Sequence, residues 1–449
     1  MFRALPPYAQ MTHNPFWSAP TPSHWSVQPG LAVLQENRHK NDGLVESQVL
    51  SLSYGHVVVK PIEKQRGLVP DSYEGYQILD PGDIVVRPTD LQNDQTSIRV
   101  GHVKARGIIT SAYIGLRPAG AWSDSYAYQY LSVVDSSKRI YGMGSGLRQQ
   151  LGWSDLKRMS CLVPSAEEQA AIVKYLAHAN ARIDKAIAAK RRIIALLDEH
   201  RTVVQAHLLL GATGSTARLK DFATVQTGLT LGKDYGGKHL TSYPYLRVAN
   251  VQMGSVDTST VAQVAVPERE VARFSLQPGD VLMTEGGDID KLGRGTVWDG
   301  HIEPCLHQNH VFAVRCKNEL KPEFLAAWLT GPISREYFYL TAKKTTNLAS
   351  TNSTTLGKLP ITVPPRGEQD RLLEAIHCQT SPMIAAMDKA ERENALLREF
   401  RTRLVADVVT GQVDVRAIAA TLPDAPESFD NTISATDDDL EEALSEGEE

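Results

Sequence analysis

The 449-residue sequence has no apolar run approaching the eighteen or so residues that a membrane span needs. Its first residues, MFRALPPYAQMTHNPFW, carry no apolar signal core. These absences predict a cytoplasmic protein with no membrane partner. Cysteine is scarce: Cys161, Cys305, Cys316 and Cys378 form no CxxC pair and no dense framework, which suits a reducing compartment. Basic residues are missing from the end of the chain. None follows Arg416, while that stretch carries eleven Asp or Glu. With those set aside, 47 basic residues face 41 acidic ones, a net charge of +6 hidden beneath the −5 of the whole chain. A mildly basic folded part permits a nucleic-acid partner. The end itself (DDDLEEALSEGEE) cannot bury an apolar face. Residues 412–449 are therefore expected to be an acidic disordered tail, and residues 1–20 a flexible N-terminus.

Complete catalytic signatures are also lacking. Asn14-Pro15-Phe16-Trp17 comes nearest to the Asn/Asp-Pro-Pro-aromatic motif with which adenine methyltransferases grip a flipped base, but it lacks the second proline and a preceding strand. Gly142, Gly144 and Gly146 make a lone GxGxG with no acidic residue at the distance a cofactor loop requires. GLTLGK, Gly228 to Lys233, is one residue short of a phosphate loop, and Asp234 stands where Ser or Thr must bind magnesium. Asp198-Glu199-His200 sits inside a helical stretch with no phosphate loop to serve. Cys305, His307, His310 and Cys316 do not have a usual zinc spacing, and read as structural or DNA-facing residues. The expectation is a non-enzyme with no catalytic residue, no metal and no cofactor on this chain.

What is present is a repeat of about 200 residues. LDPGDIVVRPTD near Leu79 is matched by LQPGDVLMTEGGD near Leu276, and LKRMSCLVPSAEEQ from Leu156 by LGKLPITVPPRGEQ from Leu356. A Pro-Gly-Asp turn before a β-branched run signals strand entry. A weaker third match pairs VLSLSYG from Val49 with YLRVANV from Tyr245. Each Glu-Gln opens a long run of helix formers, 166–209 without Pro or Gly and 368–410 with only Pro382. The runs end at Gly211 and Gly411, which suits left-handed caps. Apolar residues recur on steps of three and four: Ile183, Ile187, Ile194, Leu197, Val204 and Leu208 in the first run, and Met383, Met387, Leu397, Leu404 and Val408 in the second. Lys190, Arg201, Asn394 and Arg401 interrupt the stripes. Such spacing reads as a coiled-coil seam, or as two amphipathic helices on separate cores. Ile193, Leu196 and Val203 lie beside the seam, and either thicken it or dock a partner helix.

The plan is α+β: two β-rich mixed domains (21–165 and 215–365), each followed by a long helix (166–211 and 366–411). Paired antiparallel, the helices would form a coiled coil with a pseudo-twofold axis, the kind of axis duplex DNA also has. Some forty residues at about 1.5 Å each make a rod of roughly 60 Å, enough to hold two readers one to two turns of DNA apart.

With the LDPGD and LQPGD turns, the VPSAEEQ and VPPRGEQ junctions, YPYLRVANVQMG from Tyr243 and CLHQNHVFAVR from Cys305, the chain resembles the specificity subunits of type I restriction-modification systems from about Pro22 to Gly411. The resemblance implies two target-recognition domains reading a bipartite, asymmetric site in double-stranded DNA. It implies a complex with two adenine-methylating (modification) subunits and with ATP-driven translocase-nuclease (restriction) subunits, in DNA methylation and host defence. Side chains suited to phosphates and base edges are Lys343, Lys344, Thr345, Thr346 and Asn347, with Arg247, Asn250 and Gln252, in the second domain. In the first they are Arg87, Thr89, Lys104, Arg106, Arg148, Gln149 and Gln150. Two other readings stay open on the sequence: a stand-alone or decoy specificity protein acting as a scaffold, and a self-sufficient DNA methyltransferase.

Overall fold

The computed structural model describes residues 5–53, 55–60, 72–89, 91, 98–143, 150–233, 235–236, 239–252, 254–287, 289, 292–345 and 348–426. The chain divides into two compact units, one of residues 1–191 with 391–449, the other of residues 192–390. The two long helices, Ala166–Leu210 and Arg366–Val409, are each shared between the units. Among the described residues no helix is long and apolar enough to cross a membrane.

In the first unit a six-stranded sheet runs Leu34–Glu36, Ile114–Pro118, Ile84–Val86, Val100–His102, His56–Val59, Leu50–Ser53. Its middle strand, Ile84–Val86, is buried throughout. That explains an apolar run in place of alternation, because both faces are covered. Asp124–Ser136 packs on this sheet, started by Ser123, whose hydroxyl accepts from the Tyr126 amide. The second unit has a four-stranded sheet in the same order as the first four: Ala223–Thr227, Val311–Cys316, Val281–Thr284, Gly295–Val297. The helix Pro322–Thr330 covers it, with Pro at its first turn, where no amide partner is lost.

The sequence repeat is thus a structural repeat, and its motifs have mechanical roles. Gly82 and Gly279 of the two Pro-Gly-Asp turns have φ of +97° and +89°, a left-handed conformation that favours glycine. The turn aspartates are buried, and each takes a two-pronged bond from an arginine on the neighbouring strand. Arg117 Nε and Nη2 donate to Asp83 at 2.8 Å each, and Arg315 Nε and Nη2 donate to Asp280 at 2.8 Å each. Each Glu-Gln junction supplies a buried glutamine clamp. Gln169 donates to the carbonyls of Ala121 and Pro164 and accepts from the Ser123 amide; Gln369 does the same with Glu319, Pro364 and Lys321. The clamp fastens the start of each long helix to the start of the helix covering the sheet. The weak match at Val49 and Tyr245 is realised too, as Val49 pairs parallel with Ile108 and Tyr245 parallel with Leu306.

Within the first unit the long helices run antiparallel: Lys190 pairs with Glu393 and Asp184 with Arg401. Two of the residues that interrupt the stripes therefore make ion pairs across it. Ile183, Ile187, Leu404 and Val408 are buried there and Leu397 is half-buried. Asn394 is buried in the same stretch, its Oδ1 without a protein partner. In the second unit Ile194, Leu197, Val204, Leu208, Met383 and Met387 are half-buried. Ile193, Leu196 and Val203 are exposed, so they do not thicken the seam.

Three expectations fail. The N-terminus is not flexible from residue 5 onward. Met11–Asn14 pairs with Ala19–Pro22, and Tyr8, Trp17 and Trp25 are buried in the first unit's core, Trp17 Nε1 donating to Tyr130 Oη at 3.0 Å. Asn14-Pro15-Phe16-Trp17 does follow a strand, contrary to expectation: Asn14 ends Met11–Asn14, and the motif is the turn of that hairpin, with Trp17 facing inward. Residues 412–426 are not a disordered tail. Val415 and Ala419 are buried, Arg416 bonds Asp414, and Lys174 pairs with Asp424 at 3.0 Å. Acidic composition hid the few apolar side chains that anchor this segment; residues 427–449 lie outside the described residues. Finally, Gly411 is left-handed with φ of +74°, but Gly211 is not.

Candidate nucleic-acid interface

In the second unit the backbone places several of the expected residues along one line. The turn Gln308–His310 lies between Leu306–His307 and Val311–Cys316. Its Gln308 amide donates to Leu246 O, and Gln308 Oε1 accepts from the Val248 amide, which ties it to exposed Arg247. On its other side the Glu285 amide donates to His310 O. Gly286 and Gly287 then pair with Ser350 and Ala349, and these with Lys343 and Lys344. Arg247, Gln308, Asn309, His310, Lys343 and Lys344 therefore lie on successive neighbouring segments. All are exposed or half-exposed. They provide the mix of cationic and amide groups that phosphates and base edges accept.

The turn is braced from beneath. His307 is buried, and Nδ1 bonds Val311 O at 2.7 Å. Burial pushes its imidazole down to about 4, so it is neutral and donates through Nδ1. Gly228 packs so closely that an added Cβ would lie 2.1 Å from His307 O. Cys305 is buried, its thiol pushed up to about 12 by desolvation. His310 instead faces outward, Nδ1 against Glu285 Oε2 at 2.6 Å. The four Cys and His residues of this region therefore divide between core packing and surface.

The remaining candidates fare unevenly. Asn250 is buried and fully used, accepting from the Arg247 amide and donating to Asp257 O and Thr260 O; it shapes a turn and has no group left for a base. Gln252 is exposed and bonds Ala249 O locally. Thr345 is exposed, its hydroxyl donating to Leu348 O. Arg106 is held by Glu46 and Asp80 at 3.3 and 2.5 Å, so it is an ion-pair residue of its own domain. Arg87 and Thr89 are half-buried, their carbonyls accepting from buried Arg99 at 3.5 and 2.6 Å. Lys104 and Gln150 are exposed. Gly144, Gly146, Arg148, Gln149, Asp234, Thr346 and Asn347 lie outside the described residues. Sequence reasoning did not single out Gln308 and Asn309, which sit inside CLHQNHVFAVR, where the flanking Cys and His drew attention to metal chemistry. Among the described residues no group of His, Cys, Asp and Glu is placed to hold a metal ion.

No family model matches the chain. In sequence it is 27% identical over 161 residues to a protein of Methanocaldococcus jannaschii provisionally named the type I restriction enzyme MjaX specificity subunit, over 35% of this chain and 37% of that one. It is 24% identical over 164 residues to the type I restriction enzyme EcoKI specificity subunit of Escherichia coli, over 35% of this chain and 34% of that one. The chain thus spans just over a third of the length of these relatives. A solved structure, described as the structural basis underlying complex assembly and conformational transition of the type I R-M system, has a TM-score of 0.59 and 14% identity. It covers 88% of this chain and 99% of that one. The chain resembles type I specificity subunits in sequence and shares this structure's fold.

Proposed function

We propose that this chain is a specificity subunit of a type I restriction-modification system. Each domain reads one half of a bipartite, asymmetric site in double-stranded DNA, and the chain itself catalyses nothing and carries no cofactor. The observation that carries this reading is the repeat: one sheet order, one Asp–Arg pair and one glutamine clamp occur twice. The candidate reading segments on the two copies differ. A duplicated scaffold with unlike surfaces suits a target whose halves are unlike. The long helices set the unread gap between the halves. The exposed stripe Ile193, Leu196 and Val203 receives adenine methyltransferase subunits, two per complex, and translocase-nuclease subunits join for cleavage. The proposed compartment is the cytoplasm.

Exchange of residues 215–365 for the corresponding domain of another specificity subunit tests independent reading. The modified site changes in one half and keeps the other half and the gap. A change in both halves rules out separate readers.

A further inference from the structure

The paired segments 343–345 and 348–350 carry more than charge. Lys343–Lys344 pairs with Ala349–Ser350, which pairs in turn with Gly286–Gly287. These segments are therefore pinned as the outer part of a small sheet, with Ala349 buried in the second unit's core. Side chains alternate across a strand. Leu348 and Lys343 consequently share one face, while Lys344 occupies the other, its Nζ 3.7 Å from the centre of the Tyr339 ring. Leu348 is 61% exposed, Leu340 72% and Tyr339 58%. A basic group beside a large apolar one thus recurs on both faces.

We propose that the paired segments 343–345 and 348–350 enter a groove of the duplex and that Leu348 is a wedge, inserted at a base step and partly unstacking it. The proposal rests on the DNA-reading function above and adds how one domain deforms its half-site. Exposed leucine is costly in water, and a base stack is an apolar surface large enough to receive it. The flanking lysines match the phosphates on either side of an opened step. The paired segments also continue, through Gly286–Gly287 and Glu285, into the Gln308–His310 turn, so insertion would occur beside base-edge contacts. Lysine against the Tyr339 face keeps ring and ammonium together as a unit.

The test uses the full chain with its methyltransferase partner and a duplex bearing the site found by methylation mapping. 2-Aminopurine replaces adenine at successive positions, the methylated adenine excepted because the partner itself extrudes it. Fluorescence should rise at one step of the half-site read by the second domain. Leu348→Ala should abolish that rise and weaken binding about tenfold, the effect of leaving one leucine unburied, with an unchanged salt slope. Leu348→Met should restore both. Binding without any rise, or a rise that Leu348→Ala leaves intact, overturns the wedge but leaves DNA reading standing. Absence of any binding to the duplex overturns both. Loss of methyltransferase co-purification in Leu348→Ala, with unstacking unchanged, assigns the patch to a protein partner and overturns the proposal.

Discussion

Gln369→Ala should loosen the second domain by an amount the geometry sets. Its amide makes three bonds of 2.7–2.8 Å, two as donor and one as acceptor. Gln369 is wholly buried, so water cannot replace them. At about 1 kcal/mol each, with the Lys321 amide left without a partner, the loss is about 3 kcal/mol. For a unit of this size that lowers the melting temperature by roughly 6–12 °C. Gln169→Ala should do the same to the first unit. Scanning calorimetry with tryptophan emission as a second probe follows the two units, since Trp298 and Trp328 belong to one and Trp17, Trp25, Trp122 and Trp153 to the other. Gln369→Glu sharpens the test. A carboxylate cannot donate to the two carbonyls, so burial and repulsion raise its folded pKa above the unfolded value. The variant is then most stable below the unfolded pKa and weakens as pH rises through the folded one. A shift under about 2 °C for Gln369→Ala, or no pH dependence for the Glu variant, would refute the clamp.

Lys343→Ala with Lys344→Ala should flatten the dependence of log affinity on log salt by about 2 and leave the fold intact; an unchanged slope in a binding titration removes the paired segments from the phosphate contacts. Arg401→Asp places like charges opposite Asp184, costing about 1 kcal/mol because Asp184 is exposed and Arg401 half-buried, and Asp184→Arg in the same chain should restore the urea midpoint. Failure of the double variant to recover contradicts the antiparallel register. His307 should titrate near 4 by NMR. Since its folded pKa lies below the unfolded 6.5, stability is unaffected above that value and declines as pH falls from 6.5 towards 4, by about 3 kcal/mol in full. Titration near 6.5 would contradict the burial.

The duplication and the helical seam were legible in the sequence because both recur: the Pro-Gly-Asp and Val-Pro-…-Glu-Gln phrases repeat at offsets of 197 and 200 residues, and Ile183 to Leu208 keep three-four steps. The contributions of single side chains were not. Little local marks Asn250 as buried, since two of its three side-chain partners lie seven and ten residues on. Arg106 looks like a free cation until folding brings Glu46 and Asp80 beside it. Tyr8, Trp17 and Trp25 are too widely spaced to form a periodic pattern, yet together with Val415 and Ala419 they bring residues 8–25 and 415–419 into one core. Composition rightly signals weak apolar content there, but a few aromatic side chains suffice to anchor a segment.

Methylation mapping tests the central claim most directly. The chain is expressed in a host with and without an adenine methyltransferase subunit of its own system, and modified adenines are located across the genome. A bipartite motif with an unread gap, modified only when both proteins are present, is the expected result. Modification by this chain alone would contradict its non-catalytic role, and modification by the partner at the same sites without this chain would contradict its part in choosing them.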